Sequence, residues 1–328
     1  MTKYLVQRGV CAACGKATSG KALGGQVVTL GPNSKLLICH LISALGMSYT
    51  QVTQLLHSLY GLAVSDGEVA SILQKQHERW RQALGQLKAD IRAAPAIHVD
   101  ETPWAIQQND GYGYAWCLSD ASSEKVCYSL ENSRGVTHAR NLIGEQFTGV
   151  RISDDYAVYR SLPGQQQLCW AHLYRCIRDL RYNDNLPEEQ LPDVTWWYEQ
   201  FASIYQDLRQ CLAKTYDPAA RTKQSNVFWQ RLQPLLQTNA TEPVKLTKLK
   251  AQLTRAGQAK LFACLIYNTP CDNNRAERDL RQLVLKRKRS FGSQTEKGAR
   301  ALATILSLCT TTWRTNPTGY FKALATLG

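Results

Sequence analysis

From residue 35 to residue 91 apolar residues return every three or four positions, the period of helices with one buried face. Val52, Leu55, Leu56 and Leu59 form one such face, Gly61 breaks the helix, and Ser65 followed by Glu68 predicts a capping box for the next. The helix carrying His77, Arg79, Trp80 and Leu84 leads onward. Two helices joined this way have a helix-turn-helix layout, which ordinary helical hairpins share. This segment alone leaves DNA reading and plain packing both open.

At Pro95 the period shifts toward that of strands. Residues 96–106, 111–120 and 124–132 read as three strands, the last two joined by a turn at Ser119 to Ser123, which predicts an antiparallel meander. A short helix follows around 136–143, then a strand and helix over 149–162, and another strand and helix over 165–182. Three strands followed by alternating helix and strand predict an α/β fold with a mixed sheet flanked by helices, in ribonuclease-H-like order. Between about 182 and 268 the strands stop. That stretch is helical and aromatic, with Trp196, Trp197, Tyr198, Phe201, Tyr205, Phe228 and Trp229, and reads as a helical insertion. A last helical stretch, 269–328, carries Glu277 and the most basic run of the chain, residues 281–289. The expected division is therefore 1–34, 35–94 (helical), 95–181 (first part of the catalytic core), 182–268 (insertion) and 269–328 (second part of the core).

Composition adds a partner class. The 328 residues are 44% apolar, enough to fill a sizeable core, and 39 Lys and Arg against 26 Asp and Glu give a formal charge of +13. Such an excess favours a polyanion, through phosphate neutralisation and counterion release. Nucleic acid is the first expectation. No run approaches the roughly 18 to 20 apolar residues of a spanning helix, and the first residues do not read as a signal peptide, so a cytoplasmic location is expected. The eleven cysteines lack the dense spacing of a disulfide scaffold and read as reduced thiols. Cys11 and Cys14 form one knuckle of a zinc ribbon with no second pair at ribbon spacing, and Cys39-His40 lies inside an apolar helix. Half a ribbon, without bound zinc, is expected in 1–34.

Phosphodiester transfer needs an activated oxygen on one side of phosphorus and a stabilised leaving oxygen on the other, which a pair of hard divalent ions provides. Such ions are held by carboxylates, so the pattern to seek is three acids from separate elements converging at one sheet edge. Asp100 lies in a strand whose neighbours Ile97 and Val99 are apolar, where an unpaired carboxylate is costly. Asp154 follows Val150 and Ile152 at the end of a strand expected beside the first. Glu277 lies in the first turn of the helix after Asp272-Asn273-Asn274. Each has a plainer reading: the aspartates as turn or capping residues, and Glu277 as the acidic member of a cap begun by Asn274.

The words around those acids separate the readings. His98-Val99-Asp100-Glu101-Thr102-Pro103-Trp104, Ser153-Asp154-Asp155-Tyr156-Ala157-Val158-Tyr159, Cys169-Trp170-Ala171-His172 and Asp272-Asn273-Asn274-Arg275-Ala276-Glu277-Arg278 occur in that order. Together they resemble the bacterial transposases of the insertion sequence 66 family, over most of the chain. The resemblance implies a DDE triad at Asp100, Asp154 and Glu277, two Mg²⁺ or Mn²⁺ ions, cleavage at the ends of a mobile element, and attack of the freed 3′ hydroxyl on target DNA. It implies double-stranded DNA as partner and a homo-oligomer on it. In one departure, Asp155 stands where the family usually has Gly, so Asp155 competes with Asp154 as second ligand.

Cys169 and His172 resemble the Cys-x-x-His pair of several DDE transposases. A zinc site there needs two more ligands, and none lies nearby in sequence. His172 is read as contacting the scissile phosphate or orienting a ligand, with a packed structural histidine as the alternative. Arg275, Arg278, Arg281, Lys286, Arg287, Lys288 and Arg289 follow the Glu277 turn and are expected phosphate contacts, against the alternative of a solvated face. Trp196 and Trp197 are expected mainly as core, with stacking on unpaired bases as the alternative. Two other functions stay open: a structure-selective nuclease that cuts without joining, and a non-catalytic DNA-binding protein derived from a transposase.

Overall fold

The computed structural model describes residues 8–19 and 30–327. A hairpin of β1 (Arg8–Val10) and β2 (Ala17–Ser19) comes first, with Cys11 and Cys14 exposed on its turn. Helices α1 (Pro32–Ser43), α2 (Tyr49–Tyr60), α3 (Asp66–Arg79) and α4 (Arg81–Arg92) follow. Ser48 and Gln51 make a reciprocal capping box on α2, Gly61 ends it in a left-handed turn, and the Ser65 hydroxyl caps α3 through Glu68 N–H. Val52 and Leu56 are buried whereas Leu59 is 64% exposed, so the apolar face of α2 fades before its end. The apolar face of α3, with Val69, Ile72 and Leu73, joins the same core cluster as the strands described next.

The sheet consists of β3 (Ala96–Pro103), β4 (Tyr114–Asp120), β5 (Val126–Glu131), β6 (Val150–Ser153) and β7 (Gln165–Leu168), ordered β5-β4-β3-β6-β7. The first three pair as an antiparallel meander, whereas β6 and β7 join β3 in parallel. The crossover from β5 to β6 contains α5 (Val136–Ile143), as such a parallel return requires. Residues 96–99 are all buried, as expected of a strand covered on both faces. The helix expected after β6 is a 3₁₀ turn at Ala157–Ser161. Here Asp154 takes the Tyr156 N–H, and Arg151, buried in β6, donates to the carbonyls of Tyr159, Leu162, Pro163 and Gly164. These bonds fix a compact loop and compete with a regular helix.

The remaining helices are α6 (Trp170–Arg181), α7 (Leu191–Leu212), α8 (Pro218–Leu232), α9 (Val244–Leu261), α10 (Ala263–Ile266), α11 (Asn274–Ser290), α12 (Glu296–Thr315) and α13 (Tyr320–Ala325). Helices α6 to α10 build a second core around Trp170, which stacks on Phe201 and Tyr205 and donates its indole N–H to Leu261 O. Trp197 stacks on Phe201 in that core, as expected, while Trp196 is 56% exposed and lies outside it. Helix α12, buried along most of residues 299–309, covers the edge strand β5. Ser307 and Thr311 accept the N–H groups of Tyr128 and Val126, satisfying an edge that would otherwise invite another strand. Among the described residues no helix is long and apolar enough to cross a membrane.

Candidate active site

Parallel pairing lines up the chemistry. His98 lies opposite Ile152 and Ser153 opposite Leu168, so the same registers continued bring Asp100, Asp154 and Cys169 level across the ends of three neighbouring strands. The ladder bond from Cys169 N–H to Ser153 O, 2.8 Å, carries the alignment past the last paired residues. Glu277 approaches from α11. Asp154 and Glu277 both act electrostatically on Asp100, but among the described residues the oxygens of these three carboxylates do not all lie within 4.8 Å of one another.

Asp100 carries the largest perturbation of the three. Burial, then the adjacent Glu101 carboxylate, then Asp154 and Glu277 push its carboxyl up to about 8; its Oδ1 accepts the Glu101 N–H at 2.9 Å. Glu101 is itself nearly buried. It is held by Arg134, at 2.7 Å from Nε, and by the Tyr159 hydroxyl. The Arg134 guanidinium lies 3.7 Å from the ring centre of Tyr156, two residues beyond Asp154, and so ties the end of β3 to the loop after β6.

The two neighbouring aspartates differ. Asp154 Oδ1 accepts Tyr156 N–H at 2.9 Å, and the residue lines a cleft of about 520 Å³ with Cys169, His172, Lys248, Gln252 and Arg255. Asp155 is engaged by Arg160, at 2.9 and 3.0 Å, and by Arg255. Glu277 accepts a two-pronged ion pair from Arg175, and His172 Nδ1 stands 3.6 Å from its Oε1. Burial raises the Glu277 carboxyl, but the Arg175 hydrogen bonds with the His172 and Arg175 charges prevail and hold it below its ordinary value. Burial, reinforced by Arg175, lowers the His172 imidazole.

Asn273 joins these parts. The residue is fully buried, and its N–H donates to Cys169 Sγ at 3.0 Å. Its Nδ2 donates to Val99 O at 3.0 Å, its Oδ1 meets His98 Nδ1 at 3.1 Å, and its carbonyl accepts Glu277 N–H at 3.2 Å. One residue thereby links β3 beside Asp100, through its side chain, to the start of α6 and the first turn of α11, through its backbone. Asn273, not Asn274, is the N-cap, and its side chain makes no capping bond. Burial lowers the His98 imidazole to about 4, so at neutral pH it is uncharged within this network.

The expected basic residues divide. Arg278 and Arg281 are exposed and, among the described residues, form no ion pair, as is true of Lys288. Arg275 is paired with Asp279 and Glu124. Arg287 donates to Pro103 O, and Arg289 reaches Leu45 O. Lys286 departs from the expected phosphate contact: it is buried, and its ammonium donates to Met47 O at 3.0 Å and Ile42 O at 3.4 Å, joining α11 to the amino-terminal helices. Glu101, Arg134, Asn273 and Arg175 escaped the sequence reading. Only Arg175, three residues after His172 on a helix, carried a readable sign.

Because the Asp100 carboxyl of the folded chain holds its proton up to about 8 while an unfolded one releases it near 4, folding takes up a proton in between. Stability should therefore fall as pH rises from about 4 to about 8, then level off. In chelated buffer, urea unfolding of Asp100→Asn should show that descent reduced. Its advantage over the wild type should grow to a few kcal/mol by pH 8, at ~1.4 kcal/mol for every tenfold difference in proton affinity between the folded and unfolded carboxyl. Parallel pH profiles for the two proteins would show that Asp100 is not perturbed.

A family model described as "Transposase IS66 family" matches residues 34–301. No curated protein matches the chain.

Proposed function

The chain belongs to the IS66 transposase family, and we propose that it cuts DNA at the ends of a mobile element and joins the freed 3′ ends to target DNA. The observation that carries this reading is the convergence of Asp100, Asp154 and Glu277 at the ends of adjacent elements, with Asp100 buried among like charges. The sheet order, with acids at the ends of neighbouring parallel strands, supports a ribonuclease-H-like core built from 95–181 and 269–328. On this reading the helices of 182–268 form an insertion that walls the cleft.

The donors fit hard divalent ions. Among the described residues Asp100 and Asp154 form no ion pair, and Asp154 lines the cleft; Glu101, Asp155 and Glu277 are all engaged by arginines, and of these Glu277 is taken as the third oxygen donor on the family motif that carries it, its Arg175 pair giving way to the ion. Mg²⁺ or Mn²⁺ held by these carboxylates would supply positive charge for the scissile phosphate and the attacking oxygen. The chain supplies alignment: the strand registers fix Asp100 beside Asp154, and Asn273 fixes Glu277 and the start of α6 against β3. His172, lining the cleft beside Glu277, orients that carboxylate or donates to a phosphate oxygen. Lys248 and Arg255 of α9 add positive charge along the same cleft.

Metal-dependent cleavage of the element's terminal DNA, followed by strand transfer from precut ends, tests the reading. Asp100→Ala, Asp154→Ala and Glu277→Ala should each lower cleavage by more than about a hundredfold, beyond the roughly ten- to hundredfold loss that outer-shell changes at metal sites cause, while DNA binding persists. Wild-type-like cleavage by two of them would refute the assignment. Cleavage without joining would point instead to a nuclease.

Arg278 and Arg281 lie three residues apart on an exposed part of α11, and the Arg281 charge reaches Glu277. We assign them to DNA phosphates beside the acids. Replacing both by Gln should weaken binding and reduce the slope of log affinity against log salt by about 2, near one per lost phosphate contact. An unchanged slope would exclude them.

A further inference from the structure

Among the described residues, the tight grouping of three metal-ligating side chains is Cys169, His172 and Glu277, with one ligand atom from each lying within 4.8 Å of the others. Cys169 caps α6 and His172 stands in its first turn, so a spacing of three turns both toward one side. The missing partner comes from α11, more than a hundred positions along the chain. Cys169 is buried, and the Asn273 N–H points at its sulfur from 3.0 Å, an orientation that favours a thiolate. His172 Nδ1 is buried without a hydrogen-bond partner while it faces Glu277 Oε1 at 3.6 Å. A buried ring nitrogen left unpaired beside a thiol and a carboxylate is an unmet ligand position.

We propose that Cys169, His172 and Glu277 form a site for one thiophilic divalent cation of the zinc class, and that this ion, by taking Glu277, shuts off the chemistry proposed above. One sulfur, one nitrogen and one oxygen donor suit tetrahedral zinc, with the fourth position open to the cleft that Cys169 and His172 line. Mg²⁺ and Mn²⁺ prefer oxygen donors, so the two kinds of ion are sorted by the thiol and the imidazole and compete through the shared carboxylate. On binding, the thiol proton passes to solvent, a sulfur–metal bond forms, and the Arg175 ion pair to Glu277 is released; nothing is oxidised or reduced. Inhibition rests on the reading of Glu277 as a catalytic ligand, whereas the cation site stands on its own geometry.

The test uses the full-length chain carrying Cys11→Ser and Cys14→Ser, which removes the exposed pair of thiols on the β1–β2 turn. Titration with Co²⁺, a spectroscopic substitute for zinc, should give thiolate-to-cobalt charge transfer and four-coordinate visible bands that saturate at one equivalent. Both should vanish in Cys169→Ser and in Cys169→Ala, two variants that alter the local packing differently. Zinc should inhibit Mg²⁺-dependent cleavage in a way that added Mg²⁺ relieves, and Cys169→Ser and Cys169→Ala, each measured against its own zinc-free rate, should need at least tenfold more zinc for the same fractional inhibition. Absence of charge transfer, or a band unchanged in both Cys169 variants, would overturn the site. Equal fractional zinc sensitivity in either variant would overturn the inhibition and leave the transposase reading standing. A cobalt band dependent on Cys169 in a chain that never cleaves DNA would uphold the site and remove the transposase reading.

Discussion

Negative charge gathered where water is scarce is the constraint around which this protein is built. Asp100 sits largely out of solvent with Glu101, Asp154 and Glu277 nearby, and burial together with each of those charges makes Asp100 harder to ionise. Such an arrangement is tolerated only when protons, arginines or metal ions supply the missing positive charge. The chain distributes these counter-charges unevenly. Arg134 serves Glu101, Arg160 and Arg255 serve Asp155, and Arg175 serves Glu277, while among the described residues Asp100 and Asp154 form no ion pair. These two acids stand level in the sheet register, where an external ion would do most to offset their charge.

Holding like charges together requires a frame that does not yield, and the frame consists of buried polar groups with their partners supplied. Asn273 satisfies its backbone and side-chain groups on three different elements. Arg151 spends its guanidinium on four carbonyls of the loop that follows Asp154. Asp279, also buried, binds Arg275, Arg314 and the Ser119 hydroxyl, fastening α11 to β4 and α12. Each such residue would be expensive alone; removing one partner leaves a charge or amide stranded, which typically costs more than the bond itself contributes. The acids are thus positioned by residues that perform no chemistry.

How much of this was legible depends on range. Period and turn chemistry located the meander, the short helix Val136–Ile143, the two parallel strands and the helix bearing Glu277, because these follow from neighbours a few residues apart. The same reading put a helix after β6, where local hydrogen bonds from Arg151 and to Asp154 impose a 3₁₀ turn. It gave Lys286 to the surface with its basic neighbours, although the fold buries it beneath the loop after α1. Charge alone says nothing about which lysine of a basic run faces inward. Asn273 was invisible in its role, and the sign that Arg175 carried did not name Glu277, because their partners lie on other elements. For the same reason Cys169 and His172 looked like half a site until Glu277 arrived from α11.

The open carboxylates converge, on this view, to hold cations that the chain itself does not supply. The most direct measurement is anomalous diffraction at the manganese edge, from crystals of the full chain bound to its terminal DNA and soaked in Mn²⁺. Manganese peaks bonded to oxygens of Asp100, Asp154 and Glu277 are expected, with the Arg175 ion pair to Glu277 opened, and the central peak missing from an Asp100→Asn crystal. Manganese bound elsewhere, or bound at this corner without any oxygen of Asp100, would contradict it.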